Sequence, residues 1–214
     1  MILGVIGAYF ASEVRMYRMV SARAEVQDKV RFVLTAVTQD LQLAGASRYV
    51  AENTTRQPVA VASVASFALC SATSPCVASV PGGVRDGFTA RYVTSLRPVA
   101  DACRSVGYSF SGDVLRRSDV VCGVAANPQE LASGVLALNL RYVCSDGTEQ
   151  DTAACPPATF TRAAKVAVYA QSSGTVSGAS SASLTLGDAA VACPAEHVCS
   201  GLQQEIAMPN LKDK

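Results

Sequence analysis

From Val14 to Ala44 the chain contains neither proline nor glycine, and its apolar residues follow a helical period. Val26, Val30, Val33, Val37, Leu41 and Ala44 recur at steps of three and four, which places them on one stripe of an α-helix suited to packing against a head. Glu25 and Lys29 stand at i and i+4, in the favourable order, on another face. Upstream lies an uncharged run, from Met1 to Ala11, in which Ile2, Leu3, Val5, Ile6, Tyr9 and Phe10 supply the apolar weight. A helix running through both parts and stopped at Gly45 makes a rod of roughly 65 Å. An ordinary globular domain has no use for a rod of that length. One end suits lipid or a bundle of like helices, and the other suits a sheet. The uncharged run is shorter than the roughly 20 residues a bilayer requires. It also lacks the basic start and small-residue cleavage site of a signal peptide. It reads as the second half of a membrane helix whose first half is missing.

After Gly45 the period changes to two. Alternation is clear in 87–94 (GFTARYVT) and 135–144 (VLALNLRYVC), the latter with Leu136, Leu138, Leu140 and Tyr142 on one face. A further strand is expected over 163–171, with weaker ones over 58–69, 106–110 and 113–122. The Ser/Gly tract 172–183 reads as a flexible loop. One helix followed by a run of strands predicts an α+β fold, with the helix over 1–45 and a single β-rich head over 46–214.

The eight cysteines all fall in that head: Cys70, Cys76, Cys103, Cys122, Cys144, Cys155, Cys193 and Cys199. An even number without any CxxC spacing favours disulfides over zinc, and hence an oxidising compartment. Eight cysteines allow about 105 connectivities. Pairing between sequence neighbours is preferred because the short loops contain turn formers such as Ser-Ala-Thr-Ser-Pro and Ser-Asp-Gly-Thr.

The remaining composition argues against chemistry. The single histidine, His197, would have to serve any Ser-His-Asp relay, and no Gly-x-Ser-x-Gly elbow accompanies it. Zinc held by Cys193, His197 and Cys199 would require reduced thiols. The plainer reading is a polar residue in a small disulfide loop. No enzyme activity, cofactor or metal is expected. Lys and Arg number 18 against 17 Asp and Glu, so no overall charge recruits nucleic acid.

Together these features resemble the PilW-type minor pilins, a branch of the prepilin-like proteins. In the helix, Asp40, Leu41, Ala44 and Gly45 carry an Asp-Leu-x-x-Ala-Gly pattern. In the head, Arg91, Tyr92, Asp101 and Cys103 match an Arg-Tyr strand followed by an Asp-Cys region. Cys122, Gly134, Val135, Leu138 and Tyr142 match the next strand, and 166–170 and 206–211 follow in the family's order. The family's basic leader, processing site and N-terminal glutamate find no counterpart here, and Cys193 and Cys199 are peculiar to this chain.

The resemblance implies a minor structural subunit of a type IV pilus, anchored in the inner membrane and then assembled into a surface fibre. Its partners would be other pilin-like subunits, contacted through the N-terminal helix, with Ile2, Leu3, Val5, Ile6, Tyr9 and Phe10, and through one flank of the head. Support of adhesion, motility or DNA uptake follows from the class of machine. A type II secretion pseudopilin shares the same features, and a membrane-tethered exported binding domain is a third reading. For direct DNA binding the candidates are Arg91, Arg97, Arg104, Arg116 and Arg117, otherwise read as solvated strand positions.

Overall fold

The computed structural model describes residues 2–51, 63–67, 69–70, 75–179, 183–186 and 189–212. Among the described residues, one α-helix, α1 (Ile2–Leu43), precedes thirteen strands. They are β1 (Arg48–Ala51), β2 (Ser63–Ser66), β3 (Val77–Val80), β4 (Gly87–Val93), β5 (Cys103–Ser111), β6 (Val114–Val121) and β7 (Gln129–Ala132), followed by β8 (Val135–Cys144), β9 (Glu149–Gln150), β10 (Thr161–Gln171), β11 (Ser183–Leu186), β12 (Ala189–Ala192) and β13 (Cys199–Ala207). All the described pairings between named strands are antiparallel. The expected α+β class is what the molecule adopts.

The strands form a five-stranded sheet, ordered β3-β4-β5-β6-β7, and a four-stranded sheet, ordered β13-β10-β8-β9, with two short ribbons besides. Residues between β3 and β4 join the sheets. Leu138 donates its N–H to Val84 O at 3.0 Å, and Asp86 returns one to Leu138 O at 2.8 Å. The buried Asp86 carboxylate accepts the N–H groups of Gly82 and Leu140, both at 2.8 Å. The buried Leu140 donor is thereby satisfied away from water.

The helix lies across both sheets, meeting β13 and β10 on one side and β4 and β7 on the other. Val26, Val30, Val33, Val37, Leu41 and Ala44 are fully buried and share one core with Phe88, Val106, Leu115, Leu138, Tyr142, Val168 and Ile206. Aliphatic side chains fill most of this core, and burying each contributes roughly 1.5–3 kcal/mol. The helix stops at Leu43. Gly45 takes φ +86°, and its N–H turns to Arg91 O at 2.8 Å. A Cβ there would stand 2.8 Å from Asn210 O, so both the sign of φ and the close approach require glycine. Asn210 Nδ2 donates to Gln42 O at 2.8 Å, capping a carbonyl that the helix end leaves open.

Two expectations need correction. Leu136 does not share a face with Leu138, Leu140 and Tyr142. The register against β10 slips between Ala137 and Val135, and this bulge turns Leu136 into a separate small core with Ala137, Ala167, Tyr169 and Val191. The Ser/Gly tract is not a free loop over its described part, 172–179. Ser172 and Val176 are buried there, and Ser172 Oγ accepts the Val198 N–H at 3.1 Å. The stretch lacks strand periodicity because hydrogen bonds to the 193–199 loop and the helix hold it. Of the strand expected over 58–69, only 63–67 and Leu69 lie among the described residues.

Candidate assembly surface

The helix divides at Ala22. C-terminal to it, an apolar stripe is covered by the head. N-terminal to it, Met19 is half-buried against Val176 and Val198, and the other large apolar side chains described stand in solvent: Tyr9 and Phe10 are each 63% exposed, Met16 is 61%, Tyr17 is 75%, and Val14 and Val20 are about half exposed. The side chains of Ile2, Leu3, Val5 and Ile6 lie outside the described residues. A run of large apolar side chains left uncovered on a rod marks a surface for lipid or protein. No described helix is long and apolar enough to cross a membrane.

Besides the Asn210 cap on Gln42, two groups of polar contacts among the described residues hold the rod to the head. Near the helix C-terminus, the buried Asp40 carboxylate accepts three hydrogen bonds. They come from Tyr108 Oη at 2.6 Å, Arg117 Nε at 2.9 Å and Arg117 Nη2 at 3.0 Å. The two guanidinium bonds make a bidentate pair, the strong and directional form of this contact. Hydrogen bonding to Asp40 raises the Arg117 pKa above its ordinary value. Burial, followed by the Asp40 charge, pushes the Tyr108 phenol far up. Tyr108 in turn stacks on Phe88, with ring centroids 4.6 Å apart.

The second group is at the helix middle. Ser173 donates from its N–H at 3.0 Å and its hydroxyl at 2.6 Å to Glu25 Oε1, while Lys29 Nζ bonds Gln171 O at 2.8 Å and pairs with Glu25. Burial opposes ionisation of Glu25, but the Ser173 bonds and Lys29 outweigh it and leave the carboxyl below its ordinary value. Glu25 and Lys29 form the expected i, i+4 pair. Its attachment to the Ser/Gly tract was not visible in the sequence.

Four disulfides tie the head: Cys70–Cys76, Cys103–Cys122, Cys144–Cys155 and Cys193–Cys199. Each joins sequence neighbours. His197 sits in the last loop, where Nδ1 lies 2.9 Å from Ser172 O. With both of its cysteines oxidised, that loop has no thiolates to offer zinc.

The arginines expected as solvated strand positions divide. Arg116 is exposed, but Arg104 is buried and paired with Asp119 at 2.6 Å, and Arg117 turns inward to Asp40. Adjacent strand residues point to opposite faces, and the face carrying Arg117 is the one against the helix. Neither Arg104 nor Arg117 is disposed to meet an external phosphate.

The long rod, the two sheets and the disulfide-tied head admit comparison with known proteins. No family model matches the chain. The pilin-like protein PilA3 of Thermus thermophilus is 41% identical over 221 residues, a match covering 99% of this chain and 90% of that protein. The chain belongs to the pilin-like proteins. A solved type IV-like pilin from Thermus thermophilus superposes with a TM-score of 0.57, covering 87% of this chain and 97% of that one. At 14% identity that likeness speaks for the fold alone.

Proposed function

We propose that this pilin-like protein is a minor subunit of a type IV pilus, of the PilW-like kind, entering the fibre at low copy in a priming or tip position. The observation that carries the reading is the contrast along a single helix. From Ala22 onward its apolar row is buried, while Tyr9, Phe10, Val14, Met16, Tyr17 and Val20 are left uncovered. Association of such rods would bury those side chains at roughly 25 cal/mol per Å² of apolar area. Before assembly the same face would be held by the inner membrane; afterwards it would meet other pilin-like subunits, with the head outside at the cell surface. Support of adhesion, motility or DNA uptake would then be indirect, through the fibre.

Mass spectrometry of a sheared surface-fibre fraction tests this reading. The protein is expected there in small amount relative to the major subunit. Its absence from fibres, with the protein recovered only in a type II secretion assembly or in the membrane, would transfer it to the pseudopilins or to the tethered domains.

A further inference from the structure

The row of helix residues that starts beneath the head at Val30 continues past the point where the head ends, winding gradually around the rod. Counting back by fours from Val30 it reads Val26, Ala22, Arg18, Val14 and Phe10. Residues four apart share a helix face, so Arg18 breaks an otherwise apolar row. Beside that row the residues 175–177 overhang the rod. They are held there by Val176, whose side chain packs on Ala22 and Val198 and whose N–H bonds Glu196 O at 2.6 Å. Rod and overhang enclose an open notch of about 410 Å³, lined by Phe10, Val14, Arg15, Arg18 and residues 175–177. Arg15 and Arg18 form no ion pair among the described residues.

We propose that this notch binds the phosphate headgroup of an anionic phospholipid and so fixes the height at which the rod meets the membrane. The proposal rests on the reading above that the helix is membrane-held before assembly. Guanidinium forks match phosphate oxygens in pairs, and Arg15 and Arg18 stand one turn apart on the rod. Thr175 and Ser177 bring hydroxyl groups to the same rim. Phe10 and Val14 line the other end of the notch, where the first carbons of an acyl chain would lie. Tyr9, Phe10 and Tyr17 are exposed along the stretch of rod that the notch spans, and aromatic rings collect at a membrane–water boundary. Between Tyr9 and Arg23 the only acid is Glu13, against Arg15, Arg18 and Arg23, so the segment carries uncompensated positive charge. A phospholipid offers both the anion and the apolar chain that this lining calls for.

The chain has no tryptophan, so Tyr17→Trp gives it a single fluorescent reporter on the rod. Its partition is measured at low salt into vesicles of phosphatidylcholine alone and of phosphatidylcholine mixed with phosphatidylglycerol. Two arginines near an anionic surface predict a preference for the mixed vesicles on the order of 30-fold. Adding Arg15→Gln and Arg18→Gln should remove most of that preference, whereas Arg23→Gln, outside the notch, should leave most of it. Equal partition of the parent into both vesicle types would overturn the proposal. So would an Arg23→Gln variant that loses as much as the double variant, since diffuse charge would then suffice. A double variant that keeps its vesicle preference but vanishes from fibres would assign the arginines to an acidic group on a neighbouring subunit and overturn it as well. Failure of the pilus reading itself shows separately, as absence of the unaltered protein from fibres.

Discussion

Tyr108 donates its phenolic hydroxyl to Asp40 at 2.6 Å, joining a strand of the head to the last turns of the helix across 68 residues of sequence. Asp40 is 4% exposed, so its charge is tolerable only because Tyr108 and Arg117 between them supply three donors. Asp40→Ala should therefore leave the partly buried Arg117 without its carboxylate and cost about 3 kcal/mol in reversible urea unfolding. Tyr108→Phe removes one donor and should cost about 1–2 kcal/mol. The double variant should lose less than the sum, because both substitutions break the same bond. Strict additivity would mean that the Asp40–Tyr108 contact is not formed in solution.

The same contact predicts an alkaline limit. Burial and the Asp40 charge raise the folded-state pKa of Tyr108 far above its ordinary value of 10. A group whose folded pKa is raised contributes stability that is fully present below the unfolded value and is lost as pH climbs beyond it. The thermal midpoint should fall as pH rises above 10, and Tyr108→Phe should fall less steeply over the same interval. Parallel curves for the two proteins would show that Tyr108 does not carry the effect.

Acid acts on the other anchor. Despite the burial that opposes it, Glu25 titrates below its ordinary 4.5 because Ser173 and Lys29 favour its charged form. A depressed carboxylate stabilises the fold above 4.5, and that contribution is lost as pH falls through the lower folded value. Glu25 is partly exposed, so screening keeps the effect small. Hydrogen exchange at the Ser173 amide is the sensitive readout. Exchange corrected for its intrinsic pH dependence should rise below pH 4.5 in the parent and be fast at all pH values in Glu25→Ala. An amide equally protected in both would remove this anchor.

How much of this was legible in the sequence depends on whether the signal was local. Val26 to Ala44 announced a buried stripe because helix period and burial coincide there. The 135–144 and 163–171 segments were visible because alternation survives in β8 and β10. In β13 it does not: the strand lies at a sheet edge and most of its side chains are exposed, so Gln203, Gln204 and Glu205 give no period. The bulge at Leu136 was invisible because register is a property of two strands together. Asp40 could be picked out as part of a motif, but its partners Tyr108 and Arg117 lie in strands whose facing side is fixed only by tertiary pairing. The uncovered rod face was legible as apolar, whereas the notch depends on where 175–177 fold back, and a Ser/Gly tract carries no periodicity to tell that.

The disulfides give the last prediction. Cys103–Cys122 closes the β5–β6 hairpin at a separation of 19 residues, and Cys193–Cys199 closes a loop of 6. Chain-entropy arguments assign about 3 kcal/mol to the longer loop and about 2 to the shorter. Replacing each pair by alanines should therefore cost more at Cys103–Cys122 in global stability. The shorter loop should matter more locally. It carries Val198, which packs with Val176 on Ala22, and His197, which faces Ser172. Loss of Cys193–Cys199 should speed exchange at the Val176 and Val198 amides while leaving those of β5 and β6 protected. Uniform loss of protection across the head would show instead that the loop is part of the global folding unit and not a separate clamp on the rod.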